Sequence, residues 1–190
     1  MRYIRRVPAH ADDRSERHSP AANARRTAAL VNALTCEAAE IPELAAILRD
    51  FGEVEPITLT QEDLLAMRDA AGQLREVFAA DDVEAAALSL NRLLAAHTGP
   101  LRLTTHHGTA PIHPHLDGSD DAPWPEWFLA TSCMALAVLL WQRQCSPGGV
   151  CASSSCRRVF IAQGTGVVQR YCSRRCATRE RVAAHRRKPG

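Results

Sequence analysis

No membrane span is expected in this 190-residue chain, because its longest apolar run, residues 128–141, offers about fifteen residues where a helical span needs about twenty. The first ten residues hold no apolar core of the length a secretory signal requires, so the expected location is the cytoplasm, a reducing compartment, with no membrane partner. Glycine-rich phosphate loops, a nucleophile elbow and paired metal-hydrolase histidines are all missing, and the expectation is a protein that is not an enzyme. Acid is nearly absent from the last forty residues, where Glu180 stands alone against ten Lys and Arg.

That imbalance divides the chain electrically. Residues 151–190 carry a formal +9, and because the whole chain carries +2, the remainder carries −7. A weakly acidic body with a strongly basic tail suits a polyanion such as DNA. An acidic protein partner, or the chain's own acidic body, is the alternative target. At 190 residues and 46% apolar content the chain can bury one substantial core and carry a small appended module.

The same tail holds Cys151-x4-Cys156 and, after fifteen residues, Cys172-x3-Cys176. Two closely spaced cysteine pairs can aim four thiolates at one point, which is what a tetrahedral zinc site requires. The chain has seven cysteines, an odd number, and a reducing compartment favours metal binding over disulfides. Four sulfurs fill every position on the ion, so the zinc is expected to be structural and single. Arg157, Arg158, Arg170, Arg174, Arg175 and Arg179 lie close in sequence to the ligands and are the expected charge partners of the thiolates. A thiol switch that releases the metal on oxidation is a further possible use of such a site.

Upstream the pattern is helical. Residues 1–20 show no periodicity and read as a flexible tail. Ser19 and Pro20 form an entry to a helix whose face includes Ala24, Ala28, Val31 and Leu34. Pro42 starts a short helix that Gly52 ends; Thr60 and Asp63 form a capping box for a third; Asp81 and Asp82 suit the start of a fourth, which runs to His97. Alternation around residues 101–106 and 112–116 predicts a short antiparallel hairpin, with Pro114 on an edge. Its histidines, His106, His107, His113 and His115, are read as solvent-facing in preference to metal ligands. Residues 128–141 predict a buried central helix; Cys36, Cys133 and Cys145 are read as small buried residues, and Trp124, Trp127 and Trp141 as core. Ser146 to Gly149 is the break at which the domains divide, into 21–145 and 146–190.

If residues 173–188 form a helix, steps of about 100° put Arg175, Arg179 and Arg186 on one side and Arg181, His185 and Lys188 on another. Ala177 and Ala184 would form a strip of small residues between them. The candidate nucleic-acid contacts are Arg170, Arg174, Arg175, Arg179, Arg181, Arg186, Arg187 and Lys188.

The tail from Gln169 to Arg186 resembles the CGNR zinc-finger family, named for a Cys-Gly-Asn-Arg motif at the last ligand, which here reads Cys176, Ala177, Thr178, Arg179. Cys151 to Phe160 is similar to the family's first knuckle and the strand after it. The segments 28–35, 74–78 and 90–94 are similar to the helical ABATE domain that usually precedes this finger in stress-induced transcription regulators. The resemblance implies a zinc-binding, DNA-binding transcription regulator, for which a homodimer would be fitting. A zinc-stabilised protein-interaction module and a redox sensor without direct DNA binding are the alternatives. The expected fold class is mainly α with a short antiparallel β-hairpin: a helical domain followed by a four-cysteine zinc module.

Overall fold

The computed structural model describes residues 19–36, 38–163 and 169–187. The tail expected at 1–20 lies, apart from its last two residues, outside them.

Local signals in the sequence set the helix starts. Ser19 caps helix α1 (Pro20–Leu34) by accepting from the Ala22 amide, with Pro20 in the first turn where its missing N–H costs nothing. Helix α2 (Ile41–Asp50) likewise carries its proline in the first turn and ends before Gly52, whose φ of 90° turns the chain away. Helix α3 (Gln61–Ala79) begins with the reciprocal box: the Asp63 amide donates to Thr60 Oγ1 and the Thr60 amide to Asp63 Oδ2. Asp82 accepts from Ala85 N at 2.8 Å to start α4 (Val83–His97).

Helix α5 (Trp124–Arg143) is the centre of the structure and packs against α1, α3 and α4. It is longer than its apolar run because Pro125 lets it start at Trp124, and it ends where Gln144 adopts a left-handed backbone. Its twenty residues are long and apolar enough to span a membrane by length and composition. Phe128, Leu129, Cys133, Leu136 and Leu139 are instead buried against Leu30, Leu34, Met67, Leu74 and Phe78 of the neighbouring helices. Such burial is how a core helix meets the same test.

Several side chains depart from expectation. Trp141 is 71% exposed on the far side of α5, so only Trp124 and Trp127, stacked edge to face at 5.2 Å, pack against the core. Cys145 lies beyond the end of α5 and is half-buried, and Cys36 is exposed; Cys133 alone of the three is a core residue, and burial pushes its thiol up to about 12.

Among the described residues two short hairpins accompany the helices, one more than the alternation predicts. Strands β1 (Arg102–Thr104) and β2 (His113–His115) pair antiparallel, with Pro114 opposite Leu103. Strands β3 (Gly148–Val150) and β4 (Val159–Ile161) pair with Val150 opposite Val159. Gly148 is required here, since a Cβ would stand 1.8 Å from the carbonyl oxygen of Phe160.

The second hairpin is fastened to the helical body. Val159 lies in the main core, and the Asn32 amide on α1 accepts from Val159 N at 2.8 Å and donates to Val159 O at 3.0 Å, imitating a neighbouring strand. Asn32→Ala should lower unfolding stability by about 2 kcal/mol, since it strips partners from two part-buried backbone groups. Urea denaturation measures this, and an unchanged midpoint would show that water replaces the amide.

Candidate metal centre

The β3–β4 hairpin places the first cysteine pair and a helix start places the second. Cys151 follows β3 directly, and the turn to Cys156 is closed by the Cys156 amide donating to the Ser153 carbonyl at 2.9 Å. Cys172 precedes Ser173, which caps helix α6 (Arg174–Arg186) by accepting from the Cys176 amide; Cys176 sits in the first turn. The Ala152 amide donates to the Arg170 carbonyl and ties the two pairs together.

All four sulfurs lie within 4.8 Å of one another. Cys156 Sγ is 3.7 Å from Cys172 Sγ, which is 3.8 Å from Cys176 Sγ. Four sulfurs held about 2.3 Å from one ion at tetrahedral corners are about 3.8 Å apart, so the donor set fits zinc. Cys151 and Cys176 are each 5% exposed, which seals the site from one side. With four protein sulfurs no coordination position remains for substrate, and the zinc is structural.

The thiolate charge is met by the backbone more than by the arginines. The Cys172 amide donates to Cys151 Sγ at 3.4 Å, and the N-terminus of α6 lays its positive end against Cys172 and Cys176. Among the described residues no arginine hydrogen-bonds a ligand sulfur, contrary to the expectation from sequence proximity. The Ser173 hydroxyl foremost draws the Cys176 thiol down to about 7, whereas burial foremost pushes Cys172 up to about 12.

Glu180 has a use that charge counting overlooks. Its Oε1 accepts from Ser153 Oγ at 2.8 Å, Ser154 N at 3.0 Å and Ser154 Oγ at 3.2 Å, clamping α6 onto the first knuckle. Those bonds, that of Ser153 first, hold its carboxyl below the ordinary range. A lone acid in a basic tail was the available signal for this clamp.

The basic residues then divide by position. Arg174, Arg175, Arg181, Arg186 and Arg187 on or just after α6 are exposed, as is Arg170, whose guanidinium lies 5.9 Å from the Tyr171 ring. Arg179 is also exposed but donates to Ser155 Oγ of the knuckle. Lys188 lies outside the described residues, as does the loop 164–168. The inward face of α6 is made by Cys176, Ala177, Glu180 and Ala183; Ala184, expected in a small-residue strip, is exposed.

Residues 149–189 match the family model described as the CGNR zinc finger. No curated protein matches the chain. The matched segment begins in β3 and contains all four cysteines, so this part of the chain is a zinc-binding finger of that kind.

Proposed function

We propose that the chain is a DNA-binding transcription regulator in which zinc fixes the base of α6 and α6 presents its arginines to phosphates. The observation that carries this reading is the state of those arginines. Arg174, Arg175, Arg181 and Arg186 project from one rigid helix, and among the described residues none of them forms an ion pair, because the one nearby acid is spent on the knuckle. Exposed guanidinium groups without ion-pair partners suit contacts to phosphates, which release counterions. In this reading residues 21–145 are the ABATE-type regulatory domain, the protein works in the cytoplasm in response to stress, and it performs no catalysis.

Fluorescence anisotropy of the zinc-loaded chain with duplex DNA at stepped salt tests this. About four phosphate contacts give a log–log salt slope near −3.6, so affinity should fall roughly a hundredfold between about 50 and 200 mM salt. A flat salt response, or no binding at the lowest salt, would assign the finger to protein contacts instead.

A further inference from the structure

The face that the β1–β2 hairpin turns toward the helices is made of imidazole, not hydrocarbon. Leu101, Leu103 and Ile112 are 63%, 64% and 67% exposed, whereas His115 is buried and His106 and His113 are half-buried, so the solvent-facing reading of these histidines fails for three of the four. The three rings converge, with centroids 4.8 to 5.0 Å apart, and a ligand nitrogen from each lies within 4.8 Å of the others.

Hydrogen bonds fix which nitrogens face inward. His115 Nδ1 stands 2.9 Å from both oxygens of the buried Asp117 carboxylate, which Arg102 holds in place at 2.5 Å; an ionised carboxylate only accepts, so Nδ1 carries the proton. The 3.4 Å approach of Arg102 Nη2 to the same nitrogen is the longer contact and follows from the shared carboxylate. His113 Nδ1 stands 2.7 Å from the Pro111 carbonyl, again an acceptor. Both rings therefore offer an Nε2 lone pair, and the two Nε2 atoms face each other at 3.0 Å. Two lone pairs at that separation repel unless a cation lies with them. His106 Nδ1 lies 3.7 Å from Asp120 Oδ2, an electrostatic contact without a hydrogen bond. Imidazoles whose outer nitrogen is backed by a carboxylate or carbonyl are oriented, and made more basic, for a metal at the inner one.

Backbone conformation points the same way. His106 and His107 adopt φ of 46° and 56° beside Gly108 at 86°, and two consecutive non-glycine residues in the left-handed region carry strain of the kind held at functional sites. Beside the three rings lies a cavity of about 80 Å³ lined by Arg26, Glu53, Trp127 and Thr131, in which Arg26 pairs with Glu53 and lies 4.4 Å over the Trp127 ring. That volume holds several waters.

We propose that His106, His113 and His115 bind one first-row divalent transition-metal ion of the zinc, cobalt and nickel class, with its remaining coordination position open to the Arg26 and Glu53 cavity. Three nitrogens about 2.0 to 2.1 Å from such an ion are about 3.3 Å apart, close to what the hairpin already provides. The ion ties the turn at His106 to strand β2 within the hairpin, a task its exposed leucines do not perform. An open position distinguishes this site from the closed thiolate centre and gives the helical body a place for a small exchangeable ligand.

The full-length chain, titrated with cobalt(II) and separately assayed for zinc content, should hold two ions. One gives an intense thiolate-to-cobalt charge-transfer band, and the other only weak d–d absorption. His106→Gln combined with His113→Gln should bind one ion and keep the charge-transfer band, which also reports that the finger is intact. A wild-type chain that saturates at one ion, or a double variant that still takes two, would overturn the site. X-ray absorption at the zinc edge of the wild-type chain supplies a check that depends on no variant. Imidazole scattering near 2.0 to 2.1 Å beside the sulfur shell near 2.3 Å is expected, and sulfur alone would leave a shared proton as the cation between the rings.

Discussion

Chelating the thiolate-bound zinc, or replacing Cys176 with Ser, is expected to unfold the region from β3 to α6 while α1 to α5 stay helical. The finger has little else to hold it. Beyond its cysteines, its buried apolar residues are essentially Val159 and Phe160, and α6 buries only Cys176. Structural zinc contributes about 10–16 kcal/mol in finger peptides, far more than two apolar side chains supply at about 1.5–3 kcal/mol each. Far-UV circular dichroism should lose the signal of a thirteen-residue helix, and amide resonances of α6 should collapse to random-coil positions. The remaining bundle should melt several degrees lower, because Val159 leaves its core; a loss of about 2 kcal/mol corresponds to roughly 4–8 °C at this chain length. Amide shifts in α6 that survive metal removal would refute a structural role for the ion.

Replacing Arg175, Arg181 and Arg186 together with Gln is expected to weaken DNA binding roughly 30- to 300-fold near 0.1 M salt, with zinc content unchanged. Each phosphate contact contributes about 0.9 to the log–log salt slope, so the slope should fall by about 2.7. These three are chosen because among the described residues their side chains make no hydrogen bond or ion pair, whereas Arg179, on the same side as Arg175 and Arg186, is engaged with Ser155. Arg179→Gln is therefore expected to disturb the knuckle as well as the contact, and its effect should include easier zinc loss. A triple variant that binds with the wild-type slope would remove the helix from the interface.

The parts of this structure legible in the sequence are those whose cause is local. Thr60 and Asp63 announce a helix because both halves of the box lie within four residues, and Cys151 with Cys156 announces a knuckle for the same reason. The histidine cluster was illegible because its spacing fits no known ligand framework. His106 reaches His115 only after the turn at Gly108 and the register of β1 on β2 are set, and Asp117 and Asp120 enter through Arg102. The direction of the arginines near the cysteines was not legible, because proximity along the chain says nothing of it. Arg174, Arg175 and Arg179 on α6 are exposed, and it is the Cys172 amide that hydrogen-bonds a ligand sulfur. The fastening of the finger by Asn32 joins residues 127 apart, and nothing near Asn32 signals it.

Gly148 bears no charge, binds no metal and lies outside the matched finger segment, yet every missense change at its codon adds a carbon where the Phe160 carbonyl already stands. In a saturation screen scored by survival of the folded finger, that position should be as intolerant as the four cysteines. Depletion of variants at Gly148 would then record the shape of the hairpin, and only depletion at residues with exposed side chains, such as Arg175 and Arg186, would record what the finger touches.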